Sequence, residues 1–116
     1  MNYQFKKSIS YEKRLNESTK IRQVYPNRVP IIVEKYDTCE LPDIDKCKYL
    51  VPKDMTFGQF MYIIRKRIHL DSKQALFVTI NNCLISSSEN VDNIYNEHRD
   101  EDGFLYVVYT SENTFG

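Results

Sequence analysis

The chain has 116 residues, room for one domain, and its 41% apolar and 28% charged content is that of an ordinary globular protein. Three glycines and four prolines exclude collagen-like or low-complexity character. Sixteen basic and sixteen acidic side chains cancel, but residues 1–35 hold 8 basic against 3 acidic and residues 89–116 hold 1 against 7, so duplex binding by the whole surface is excluded while the basic first third can steer acidic partners.

A short helical turn is expected near Tyr3 to Lys7. Ser10 to Val24 is free of Gly and Pro and rich in helix formers. Tyr11, Leu15, Ser18 and Arg22 share one face of that helix, and Glu17, Ile21 and Val24 a neighbouring one. Tyr25-Pro26 ends it, because the residue before proline avoids the helical region. Arg28 to Tyr36 reads as a strand buried on both faces, with a β-branched centre at Ile31-Ile32-Val33. Pro30 near its start points to an edge or an unpaired position. Asp37 to Lys46 is polar, contains Pro42 and reads as a loop, and Lys48 to Pro52 as a short strand.

Thr56 to His69 predicts a helix with Thr56 and Gln59 as a capping box and Met55 and Phe60 as its hydrophobic staple. Phe57, Phe60, Met61, Ile64 and Ile68 form its core face, and Arg65, Lys66 and Arg67 suit the negative end of its dipole. Ala75 to Ile80 predicts a strand, Asn81-Asn82 a turn and Leu84-Ile85 a brief return strand. Ser86 to Ser88 reads as a loop that caps a helix marked by Val91, Ile94, Tyr95 and His98, which ends before Gly103. Phe104 to Thr110 is the final strand, and residues 111–116 a patternless, flexible tail. This order describes a mixed sheet wrapped on one helix, the α+β β-grasp pattern. Residues 1–26 form a helical extension on a core of residues 27–110, making one compact unit.

Chemistry-bearing motifs are scarce. No apolar run approaches the roughly 20 residues that span a bilayer, and no signal peptide is visible. Cys39, Cys47 and Cys83 lack Cys-x-x-Cys spacing, so reduced, inert thiols in a cytosolic protein are expected. His69 and His98 complete no metal-ligand set, and no nucleophile elbow or phosphate-cradling loop is present. Neither a cofactor nor a metal is expected, nor catalysis. Basic and aromatic residues interleave between Tyr3 and Arg28 without a nucleic-acid-binding motif.

Several segments, in order, carry a family likeness. They are Glu12-Lys13-Arg14, Lys20-Ile21-Arg22, Tyr25-Pro26, the run from Arg28 to Lys35, Lys48-Tyr49-Leu50-Val51-Pro52, Gly58-Gln59-Phe60, the run from Ile64 to Ile68, the run from Glu101 to Tyr106, and Thr114-Phe115-Gly116. From about Ser10 to Gly116 the chain resembles the autophagy ubiquitin-like modifiers, particularly the GABARAP branch. The resemblance implies a ubiquitin-like β-grasp preceded by two helices. It implies activation at the C-terminal glycine, here Gly116, by an ATP-dependent enzyme. Transfer through thioesters on a conjugating enzyme and an amide link to phosphatidylethanolamine follow, with release by a deconjugating cysteine protease. The protein is then a monomer in the cytoplasm with a lipid-anchored pool on autophagosomal or other organelle membranes. Glycine suits the acyl carbon because no side chain obstructs the enzyme channel or the attacking thiolate.

The resemblance also implies a groove for aromatic-x-x-aliphatic motifs of cargo receptors and adaptors, with the peptide added as a strand beside Lys48 to Pro52. The aromatic pocket maps to Glu17, Ile21, Pro30, Ile32, Lys48, Leu50 and Phe104. The aliphatic pocket maps to Tyr49, Val51, Pro52, Met55, Phe60 and Ile63, with Ile64 and Arg67 beside it. Tyr49 and Leu50 point to opposite sides of the strand, so each favours a different pocket. Arg28 and Lys46, with Lys48 and Arg67, form a basic rim that favours acidic flanks. Met55 stands where leucine is frequent among relatives, and its pliability broadens the second pocket. Without the resemblance, Ile21, Leu50 and Phe60 read as core, and Lys46, Lys48 and Arg67 as a solvated face. The competing functional reading is an unconjugated adaptor that links peptide motifs to vesicles or cytoskeleton, its basic front meeting an acidic surface such as tubulin.

Overall fold

The computed structural model describes residues 2–111. Gly116 and the rest of the expected tail after Ser111 lie outside the described residues.

Two helices open the fold, α1 (Gln4–Ser8) and α2 (Tyr11–Val24). Next come the strands β1 (Arg28–Lys35) and β2 (Lys48–Pro52), and then α3 (Phe57–Arg67). The chain continues through β3 (Phe77–Ile80), β4 (Cys83–Leu84), α4 (Val91–His98) and β5 (Leu105–Thr110). The strands form one mixed sheet in the order β2-β1-β5-β3-β4, with β1 and β5 parallel at its centre and the other pairs antiparallel. This is the ubiquitin-like β-grasp with two added N-terminal helices.

The centre of the sheet is buried on both faces, which is why β1 and β5 read as continuous apolar runs. One face packs on α3 through Phe57, Phe60, Ile64 and Ile68, together with Ile31, Val33 and Tyr49. The other face carries a smaller cluster of Phe5, Ile32, Phe104 and Tyr106, covered by Tyr3, Ile9 and Ile21. Pro30 is not on an edge strand. The β1–β2 register turns its nitrogen toward β5, whose pairing begins one residue later at Ile31. No ladder hydrogen bond is lost there.

Local signals explain the element ends. Thr56 and Gln59 form the expected capping box, with Gln59 N–H donating to Thr56 Oγ1 at 3.2 Å and Thr56 N–H to Gln59 Oε1 at 3.0 Å. That helix ends at Arg67 rather than His69. His69 is left-handed (φ 57°), and its N–H and that of Leu70 donate back to Lys66 O and Arg65 O, a Schellman ending. Asn81 and Asn82 both have positive φ between paired Ile80 and Cys83, the type I′ hairpin their side chains favour. The return strand is therefore Cys83–Leu84, one residue earlier than expected, and β3 starts at Phe77 rather than Ala75. Asn90, not the serine loop, caps α4 by accepting from Asp92 N–H at 3.0 Å.

Two segments depart further from their patterns. The polar stretch after β1 is clamped rather than free. Lys35 Nζ reaches Asp43 Oδ1 at 2.8 Å and donates to Leu41 O at 3.1 Å, Tyr109 donates to Pro42 O at 2.7 Å, and Leu41 is buried. In α2, Tyr11 and Leu15 stay exposed, whereas Arg14 and Ser18 are buried. Arg14 Nε lies 3.5 Å from Asp102 Oδ2, and Asp102 has no exposed surface. Tyr106 donates to that same carboxylate oxygen at 2.5 Å, and Phe104 N–H donates to Oδ1 at 2.9 Å. Ser18 Oγ donates to Asp102 O at 2.5 Å. A polar hub thus joins the helical extension to the core.

Candidate functional site

The edge strand β2 is the natural starting point, because nothing pairs with its outer side among the described residues. Val33 N–H donates to Cys47 O at 2.7 Å and Lys53 N–H to Asn27 O at 3.0 Å, just beyond either end of the β1–β2 ladder. Those contacts set the alternation. Odd-numbered residues of β2 bond to β1, while the backbone groups of Lys48, Leu50 and Pro52 point to the open edge. An open edge of this kind is a template for a further strand. Arg28 already covers part of it, since its Nη1 donates to Leu50 O at 3.0 Å.

The side chains alternate as well. Lys48 and Leu50 are half-buried on the α2 side, and Tyr49 and Val51 are buried on the α3 side. The expected aromatic-pocket residues therefore gather on the α2 face. Ile21, Ile32 and Phe104 share one cluster, with Ile32 and Phe104 fully buried; Pro30 is buried too. Glu17 and Lys48 stand together, with Lys48 Nζ at 2.5 and 2.7 Å from the two carboxylate oxygens. Phe5, from α1, completes this set and was not among the sequence candidates. Its ring lies 5.2 Å from that of Phe104, edge-on, and Lys48 Nζ lies 5.6 Å from its centre. A lone phenylalanine in a five-residue helix gave no periodic signal by which to find it.

The aliphatic-pocket candidates gather on the α3 face. Tyr49, Val51, Phe60 and Ile64 belong to the main core, and Met55 and Ile63 pack partly buried against it. The Tyr49 and Phe60 rings meet edge-on at 5.7 Å. Pro52 is half-buried at the strand end, while Arg67 is exposed. The rim cations differ in their engagement. Arg67 pairs with Asp45, Nη2 to Oδ1 at 3.2 Å, and Lys46 lies 5.2 Å above the Tyr49 ring. Burial raises the Tyr49 phenol pKa, and the Arg67 guanidinium works against it. Lys46 and Arg28 have no carboxylate partner among the described residues.

Cys47 and Cys83 are exposed and Cys39 is half-buried, with no disulfide among the described residues, and no group of His, Cys, Asp and Glu there could hold a metal. No helix among them is long and apolar enough to cross a membrane.

Comparison with known proteins gives this geometry a context. Residues 13–116 match the family model described as autophagy protein Atg8, ubiquitin like. The chain is 54% identical over 112 residues to autophagy-related protein 8a of Arabidopsis thaliana, covering 97% of this chain and 92% of that one. It is 53% identical to autophagy-related protein 8 of Mycosarcoma maydis over 116 residues, covering 100% and 98%. The crystal structure of Trypanosoma brucei ATG8 superposes with a TM-score of 0.92 at 42% identity, each chain covered in full.

Proposed function

The chain belongs to the Atg8 family of ubiquitin-like autophagy modifiers, which are not enzymes, and from that premise we propose that it is conjugated through Gly116 to phosphatidylethanolamine and recruits cargo receptors bearing aromatic-x-x-aliphatic motifs. The open, outward-facing edge of β2 between two apolar faces is the observation that carries the recruiting half. The aromatic residue enters beside Lys48, between α2 and β2, and the aliphatic one on the α3 side near Met55 and Ile63. Burying one such anchor contributes roughly 2–4 kcal/mol, the usual hot-spot scale. The segments that carry the likeness favour the GABARAP branch.

The conjugating half rests on the family match reaching residue 116. The Gly116 carboxylate attacks ATP, giving the acyl adenylate and pyrophosphate. A cysteine thiolate of the activating enzyme displaces AMP, and the acyl group passes to a conjugating enzyme as a second thioester. The lipid amine then attacks, forming the amide and releasing the thiol. A cytoplasmic protein with a lipid-anchored pool results, and a cysteine protease returns it by hydrolysing the amide.

Incubating the protein and Gly116→Ala with the family's activating and conjugating enzymes, ATP and phosphatidylethanolamine vesicles tests this directly. Intact mass should rise by one lipid, less water, for the native chain alone. No gain beside a working control modifier would leave the unconjugated adaptor as the better reading.

A further inference from the structure

A cleft of about 380 Å³ lies where the ends of α2 and β2 meet α4, outside the two pockets described above. Arg22, Arg28 and Lys53 line it, with Gln23, Tyr95 and the single acid Asp92. None of the three cations has a carboxylate partner among the described residues. Asp92 does not supply one; it is fixed at the start of α4, its N–H donating to Lys53 O at 3.2 Å and to Asn90 Oδ1 at 3.0 Å. The Arg22 guanidinium rests 5.6 Å from the centre of the Tyr95 ring, and Arg99 adds a second at 5.7 Å. Unpaired guanidinium and ammonium groups converging on one concave space suit carboxylates, which arginine can grip through two parallel hydrogen bonds.

Arg28 belongs to both this cleft and the open edge, because it lines the one and donates to Leu50 O on the other. A strand added to β2 needs that carbonyl. Its arrival frees the Arg28 guanidinium at the mouth of the cleft. With the aromatic anchor at Lys48 and the aliphatic one farther along β2, the added strand runs parallel to β2 and leaves at Pro52-Lys53, beside the same cations.

We propose that this cleft is an acidic-flank subsite of the peptide groove, taking aspartate or glutamate side chains from the segment that follows the aliphatic anchor. The proposal rests on the strand-addition reading above and goes beyond it by assigning the Arg22 and Lys53 side chains to recognition.

Two peptides with one aromatic-x-x-aliphatic core test it, one followed by three acidic residues and the other by their amides. Titration calorimetry on the full chain should show about fivefold tighter binding of the acidic-flank peptide at low salt, with the advantage shrinking as salt rises. In Arg22→Gln/Lys53→Gln the advantage should vanish while the amide-flank peptide binds as it does to the native chain. Equal affinity of both peptides for the native chain overturns the subsite, as does a variant that weakens both alike. Binding of inorganic phosphate or anionic vesicles that the double variant abolishes, with no flank preference, assigns the cleft to another anion and overturns it too. If neither peptide binds the native chain, the groove itself is refuted and the subsite falls with it.

Discussion

Single residues decide how the helical extension is held. Gly103 has φ +87°, and a Cβ there would stand 2.2 Å from Ser18 Oγ. Gly103→Ala should therefore cost about 2–4 kcal/mol, combining left-handed strain with the collision. Ser18→Gly in the same chain should recover the collision part and leave the strain, which a denaturant-melt double-mutant cycle would show as coupling. Arg14 and Asp102 form a buried ion pair, so Arg14→Ala should cost about 3–5 kcal/mol by leaving the buried carboxylate without its counter-charge, held only by Tyr106 and the Phe104 N–H. Asp100 offers a gentler handle. Its partial burial works against ionisation, but the Lys6 ammonium at 2.6 Å and the Asp102 N–H hold its pKa below the usual carboxylate value. A lowered native pKa stabilises the fold above the unfolded value of 3.8 and stops doing so as pH falls through the native one. The stability difference between the native chain and Asp100→Asn should hence be constant near neutrality and disappear in acid. Urea melts across pH would show it, and a difference that persisted in acid would assign it to packing instead.

At the scale of elements, β2 separates binding from stability. Val51 is buried and Leu50 half-buried on the opposite side, so Val51→Ala should lower the melting temperature by several degrees. Leu50→Ala should leave it nearly unchanged while weakening motif-peptide binding about tenfold or more. The ending of α3 carries a stability prediction of its own. His69→Gly relieves a left-handed side chain and should raise the melting temperature by about 2–5 °C. Elements of this kind were legible in the sequence because their signals are local: the Thr56–Gln59 box, the Asn-Asn turn and the β-branched run at Ile31 each act within a few residues. The candidate groove was drawn from resemblance alone, and the β1–β2 register shows only which way each side chain faces. What could not be read depends on distant partners. Nothing within α2 marks Arg14 as buried, since its carboxylate arrives 88 positions later in the chain, and nothing near Phe5 points to Phe104. Leu41 was hidden among polar neighbours because its burial is imposed by clamps from β1 and β5.

For the molecule as a whole, the two proposed half-sites are lined differently. Phe5 and the Glu17–Lys48 pair stand on the aromatic side, and the aliphatic side packs on α3. Glu17→Gln should loosen the first and speed peptide association at low salt, an effect stopped-flow fluorescence can follow and one that added salt should erase. The parallel pairing of β1 with β5 has a consequence for orientation. Ile31 faces Leu105 and Lys35 faces Tyr109, so the chain leaves β5 at the end of the sheet remote from Arg28. Six residues of strand span roughly 20 Å. The Arg22–Arg28–Lys53 corner and the point where the chain leaves β5 therefore lie at opposite ends of the sheet, and a partner gripping the one leaves the other uncovered.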